Sequence, residues 1–197
     1  MANYTRKAIL QTFEDMLTEL PFDKITVSAL VTRCGISSNT FYYHFRDIYD
    51  LLDVWMDEQR NKYFQETKHI DNWMEQLKIV LHKIQNEPER VQHIFSSLSR
   101  ERVENYVFNS VETWFYEEVK KHAAAIPNLA EEKVRRIAGF YCYSFLGFFL
   151  KFIWEHMKAD VDESVDGIYQ IFREVWRYLT EPEADEKNIE FREGGAH

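Results

Sequence analysis

Apolar residues recur along this chain at three- and four-residue steps, the period of helices with one buried side, and no stretch alternates with period two for long. Ile9, Phe13, Leu17 and Leu20 stripe a first helix from about Thr5 to Leu20, which Pro21 ends. Ile48, Leu51, Leu52, Trp55, Met56, Gln59 and Tyr63 give a long helix a continuous buried side, opened by Asp47 and Asp50 as an N-cap and acidic first turn. Further stripes place Trp73, Leu77, Val80, Leu81 and Ile84 on a helix over 71–86, and predict a short helix over 89–97 after Pro88. A longer helix over 100–125 carries Tyr106, Phe108, Val111, Phe115 and Val119, Pro127 breaks the chain, and Val165, Ile168, Tyr169, Phe172, Val175 and Trp176 share one face of a helix over 162–179.

One segment breaks this one-sided pattern. Within a helix over 129–157, the fourteen residues from Ile137 to Leu150 are all uncharged and apolar nearly all round. A membrane span needs about 20 such residues, and Arg135, Arg136 and Lys151 bracket this run, so a buried helix is the reading. One side can serve the chain's own core; the other must meet something else, and a second copy of the chain is the economical answer. Gly139 and Gly147 permit a close helix approach.

The twenty residues TVSALVTRCGISSNTFYYHF, Thr26 to Phe45, read as two short helices and a tight turn. Thr26 caps the first, whose Leu30, Val31 and Cys34 share a face; Gly35 can take the left-handed conformation that stops it, Ile36 folds back on the preceding turn, and Ser37 caps the second. In that second helix Phe41 and Phe45 point one way as core anchors, while Asn39, Thr40 and Tyr43 face the other, flanked by Ser38, Tyr42 and His44. Hydroxyls, an amide and an imidazole turned outward suit base edges and phosphates in a major groove. By spacing alone, a helical hairpin with a solvated polar face fits equally.

The wording of ITVSALVTRCGISSNTFYYHFRDIYDLL, Ile25 to Leu52, resembles the helix-turn-helix of the TetR family of one-component transcriptional regulators, in the Thr before the first helix, the Gly in the turn and the Thr-Phe-Tyr-Tyr-His-Phe helix. The resemblance implies an all-α fold: a DNA-binding head over 1–47, a connecting helix over 48–68, an effector-binding and dimerisation body over 69–180, and an acidic tail over 181–197 read as solvated or disordered. It implies DNA contacts from Lys24, Thr26, Ser37, Ser38, Asn39, Thr40, Tyr42, Tyr43, His44 and Arg46. At the start of the connecting helix the family's usual lysine is replaced by Ile48, which leaves Arg46 as the nearest cation for that phosphate.

Composition changes the picture in one respect. A net charge of −9 is awkward for a nucleic-acid binder, but residues 1–50 carry five cations against six acids, so the head is nearly neutral and the acid lies in the body. DNA binding then relies on a few placed cations and helix N-termini, with modest affinity per subunit and steep salt dependence. With only 6 Gly and 4 Pro, composition favours long helices, and no signal peptide opens the chain, so a cytoplasmic protein without a membrane anchor is expected. Cys34 and Cys142 read as reduced core thiols.

No HExxH, GxSxG, P-loop or GxGxxG occurs, the histidines are scattered over separate helices, and neither metal nor cofactor is expected. The aromatic density between Tyr106 and Trp154 reads mostly as core. The resemblance adds a small-molecule effector cavity there, for which Tyr106, Trp114, Tyr141, Tyr143 and Phe148 are the candidates, an aromatic wall suited to an apolar or flat ligand. It also implies a homodimer through the helices over 129–157 and 162–179, and an inverted-repeat DNA operator released by the effector. An activator or a regulator answering to a protein partner are the alternatives within that fold; a helical enzyme using the body pocket is the remote one.

Overall fold

The computed structural model describes residues 2–124, 126 and 129–180, and among them every regular element is helical. In chain order these are α1 (Ala2–Glu19), a 3₁₀ turn (Phe22–Lys24), α2 (Val27–Cys34), α3 (Ser38–His44), α4 (Ile48–Thr67), α5 (Trp73–Gln85), α6 (Pro88–Phe95), α7 (Arg100–Ala123), α8 (Glu131–Trp154) and α9 (Val161–Thr180). Pro127 and the acidic tail over 181–197 lie outside the described residues.

Local chemistry sets most of the boundaries. Thr26, Ser37, Asp47, Asn72 and Ser99 each accept a backbone N–H of the helix they precede, satisfying donors that a helix start leaves open. Pro88 opens α6 at a position where its missing N–H costs nothing. The helix predicted to run to Met157 stops at Trp154: the Met157 N–H returns to the Phe152 carbonyl at 2.8 Å, with His156 and Met157 both at positive φ. Met157 is 2% exposed, so its burial holds a backbone turn that two non-glycine residues otherwise avoid.

Two hydrophobic cores result. The head core is built on Ile9, Phe13, Leu17, Leu30, Phe41, Leu51 and Leu52, with Trp55 and Met56 of α4 included. It also takes in Ile94 of α6, so the body reaches into the head's interior. Leu20, expected in the first stripe, is exposed because α1 ends at Glu19 and the chain turns off the helical register. The body core centres on α7 packed against α8, with α5 lying along α9.

The continuous buried side expected for α4 divides in two. Leu51, Leu52, Trp55 and Met56 are buried, whereas Gln59 and Tyr63 are only half-buried, because the second half of α4 walls a cavity. Helix α8 has the length and composition of a membrane span, yet half of its apolar window is buried against the body. Its outer strip does remain open: Phe140, Tyr143 and Trp154, with Ile171 of α9, are each at least half exposed. Among the described residues, no atom outside the local helix lies within 4 Å of where a Cβ would sit on Gly139 or Gly147, so neither glycine serves a close contact there.

Candidate nucleic-acid interface

The turn between α2 and α3 follows from a few residues. Gly35 sits at φ 70°, a conformation that costs L side chains strain, and its N–H closes on the Thr32 and Val31 carbonyls. Ser37 Oγ accepts the Thr40 N–H at 3.1 Å and shares a 2.9 Å hydrogen bond with Thr40 Oγ1, fixing the first turn of α3. Phe41 and Phe45 are sunk in the head core with ring centroids 5.7 Å apart. That anchoring leaves Ser38, Asn39, Tyr42 and Tyr43 exposed, Tyr43 at 78%, with Thr40 and His44 half-buried beside them.

The predicted contact residues therefore fall into three groups. Ser38, Asn39, Thr40, Tyr42, Tyr43 and His44 lie together on α3. Thr26 and Ser37 are exposed but hold the helix starts, Thr26 Oγ1 accepting the Ala29 N–H at 3.2 Å. Lys24 and Arg46 are engaged with carboxylates: Lys24 Nζ lies 3.0 Å from Asp23, and Arg46 meets Asp50 at 2.9 Å while its own backbone N–H donates to the same carboxylate. The Arg46 backbone and guanidinium hold the Asp50 carboxyl below its ordinary range, and Asp50 in turn raises Arg46. Ile48 is half-buried against the head core and has no polar group to offer a phosphate.

A carboxylate sits where head and body meet. Glu14 of α1 accepts hydrogen bonds from Trp55 Nε1 at 3.3 Å and Gln59 Nε2 at 3.5 Å, both on α4, and from Arg90 Nη1 of α6 at 3.0 Å. Arg90 also pairs with Glu87 and stacks over the Trp55 ring at 5.3 Å. His93 Nδ1 of α6 meets the Leu17 carbonyl at 2.9 Å. No local pattern marks Glu14, because its partners lie 41 to 76 residues away.

Gln59 and Tyr63 connect that junction to a cavity of about 190 Å³ walled by α4, α5, α7 and α8. Its lining is chiefly aliphatic and aromatic, including Leu77, Val80, Val107, Phe145 and Phe149. The polar side chains there are already bonded within the chain: Arg60 reaches Ser110 and Asp57, Gln76 holds the Thr67 and Ile70 carbonyls, and the Tyr106 hydroxyl donates to the Met56 carbonyl at 3.2 Å. Burial pushes Tyr106 up to about 12, so it stays a neutral donor.

Of the five aromatics proposed for such a cavity, Tyr106 and Trp114 line it. Tyr141, Tyr143 and Phe148 do not. Tyr141 is buried against α9, its hydroxyl donating to the Phe172 carbonyl at 3.0 Å; Tyr143 lies on the exposed outer strip against Phe108; Phe148 stacks on Phe152. The residues missed are the aliphatics of α5 and the polar positions of α4, for which the polar Gln59 in an apolar stripe was the available signal.

Among the described residues, no group of three His, Cys, Asp or Glu side chains is placed to hold a metal ion.

A capped helix-turn-helix presenting an uncharged polar helix, joined by one long helix to a larger helical body, defines a DNA-binding transcriptional regulator. Two family models agree: "Bacterial regulatory proteins, tetR family" matches residues 6–54, and "Transcriptional regulator C-terminal region" matches residues 71–174. The chain belongs to the TetR family of bacterial regulatory proteins. Regulators of this family bind DNA operators and act as dimers.

Among solved structures the chain is similar to the dihydroxyacetone kinase operon activator DhaS, at 15% identity and a TM-score of 0.67, covering 88% of this chain and 97% of that one. A transcriptional regulator (TerR/AcrR family) from Aquifex aeolicus VF5 aligns at 20% identity and a TM-score of 0.54, over 87% and 99% of the two chains. NalD of Pseudomonas aeruginosa, described as the secondary repressor of the MexAB-OprM multidrug efflux pump, aligns at 17% identity and a TM-score of 0.54, over 88% and 97%. At these identities the likeness is one of fold. No curated protein matches the sequence.

Proposed function

We propose that this protein is a cytoplasmic homodimeric repressor that places α3 of each subunit in successive major grooves of an inverted-repeat operator and releases it when a small molecule fills the body cavity. The observation that carries the reading is α3 itself, a capped helix pinned by Phe41 and Phe45 with Asn39, Tyr42 and Tyr43 left outward and uncharged. Side chains of these types recognise base edges by hydrogen bonds and methyl contacts, and carry discrimination in place of bulk affinity.

Dimerisation is supported by the open strip of Phe140, Tyr143 and Trp154 on α8 with Ile171 on α9, beside the uncovered Gly147. Two heads one helical turn apart are what an inverted repeat requires. A Tyr143→Asp, Ile171→Asp variant is expected to sediment as a monomer and to lose the operator complex; a dimer of unchanged stability would place the interface elsewhere.

The cavity supports an effector that is neutral and predominantly apolar, because its polar side chains already have partners and a polar ligand would lose hydration without replacement. An apolar cavity of about 150 Å³ admits a benzene ring, so this one suits a ligand of one to two rings. Binding there presses on Gln59 and Tyr63, which adjoin the Glu14 and Arg90 junction, and shifts the population toward head placements that no longer match the half-sites.

Gel shift on inverted repeats from the gene's own upstream DNA tests the core of the reading, with a salt-sensitive specific complex expected and none at any repeat contradicting it. The sign of regulation has a second reading, activation, because the similar fold of DhaS is described as an activator. A promoter fusion separates the two: expression rises on deleting the gene if it represses and falls if it activates.

A further inference from the structure

From Lys24 to Arg46 the head carries three lysine or arginine residues, and each faces a carboxylate. Lys24 Nζ lies 3.0 Å from Asp23, Arg33 grips Glu19 with both terminal nitrogens at 2.6 and 2.7 Å, and Arg46 Nη2 lies 2.9 Å from Asp50. The Arg46 partner is fixed in place, since the other Asp50 oxygen accepts the Arg46 backbone N–H at 2.9 Å and the Asp50 side chain is only 21% exposed. The adjoining start of α4 is closed to outside anions in the same way: the Asp47 carboxylate takes the Tyr49 and Asp50 N–H groups at 2.8 and 2.9 Å. A phosphate that approaches Arg46 therefore meets a guanidinium already neutralised and a second negative charge held beside it.

Sequence-independent DNA affinity comes from cations that neutralise phosphates and release counterions, so a cation held by a carboxylate of its own chain contributes little to it. We propose that Asp50 and Glu19 are affinity-setting residues of this DNA-binding head: they hold Arg46 and Arg33 in reserve, keep binding to random DNA weak and leave discrimination to the uncharged face of α3. The inference rests on the head being the DNA-binding part and is independent of the effector and of the sign of regulation. For random-sequence DNA it revises the steep salt dependence expected from the cations alone to a shallow one.

The test uses the full-length protein and a fluorescent random-sequence duplex, with affinity read by anisotropy from about 50 to about 200 mM salt. Asp50→Asn keeps an oxygen for the Arg46 backbone N–H while removing the charge, and Glu19→Gln removes the charge that grips the Arg33 guanidinium. Each is expected to raise random-duplex affinity by roughly three- to tenfold and to steepen the plot of log affinity against log salt by about 0.9, the worth of one further neutralised phosphate. Glu132→Gln, an exposed charge on α8, serves as the net-charge control and is expected to change affinity by less than about 1.5-fold.

Masking makes one further demand. Arg46→Ala is expected to abolish the whole gain in the Asp50→Asn background. A gain from Asp50→Asn that survives Arg46→Ala, or that the Glu132→Gln control equals, overturns the proposal, as does an unchanged salt slope with correctly folded variants. Absence of random-duplex binding by every variant overturns it together with the DNA-binding role.

Discussion

In the head, Phe41 and Phe45 are sunk in the core and the tyrosines between them, Tyr42 and Tyr43, stand 56% and 78% exposed. In the body, Tyr106 and Trp114 turn inward to a cavity of about 190 Å³, and the residues facing solvent are mostly charged. Both regions are helices packed on aromatic and aliphatic stripes, but they leave different things unfilled. The head fills its interior and offers a surface; the body leaves part of its interior open. Base edges are reached only from outside, whereas an apolar ligand gains most where water is excluded, so the same packing chemistry yields a reader in one case and a receptor in the other. The two are tied by α4, whose first half belongs to the head core and whose second half is a cavity wall.

The comparison breaks most sharply at Phe41, which is fully buried. Phe41→Ala is expected to cost about 3–5 kcal/mol and to abolish DNA binding. Hydrogen exchange of the α7 and α8 amides in urea shows whether head and body are separable: a body transition that stays in place makes them distinct cooperative units, and a common shift makes them one.

A smaller effect is expected where the regions join. Arg90, whose side chain is 11% exposed, has Glu14, Glu87 and the Trp55 ring as partners, so Arg90→Met leaves carboxylates without their cation. The pair is only partly buried, so the cost is about 1–3 kcal/mol, below that of a fully buried ion pair. Chemical denaturation measures it, and a change below about 0.5 kcal/mol would mean that α6 is held to the head chiefly by contacts such as Ile94, Phe95 and His93.

Tyr43→Ala sharpens the contrast from the other side. Removing an exposed side chain from α3 is expected to leave stability within about 0.5 kcal/mol while weakening operator binding at least about tenfold. Equal operator affinity by gel shift would move the reading role to Asn39 and Tyr42. The least expected effect concerns Cys142, whose thiol burial pushes up to about 11 and which stays protonated at neutral pH. At pH 8 a disulfide reagent is expected to label the half-buried Cys34 first, and Cys142 only after unfolding.

Most of the helices were legible because each is one-sided, and a one-sided helix writes its period into the chain. The turn at Gly35, the caps at Thr26, Ser37 and Asp47, and the outward set on α3 follow from neighbours within a few residues. The cavity was legible as an aromatic excess and as a polar Gln59 in the α4 stripe. Tyr141 and Tyr143 are two residues apart on α8, yet one packs on α9 and the other faces outward, and nothing in the spacing shows that the cavity lies on a third side.

The sequence by itself determined the helical fold, the cap and glycine that make the helix-turn-helix, and which side chains α3 turns away from the core, since these depend on local conformation and period. Only the tertiary structure decided that Glu14 joins α1 to α4 and α6, that α4 is buried in one half and a wall in the other, and that Arg33 is held by a carboxylate 14 residues away. Those depend on long-range packing, where distance along the chain carries no information about distance in space.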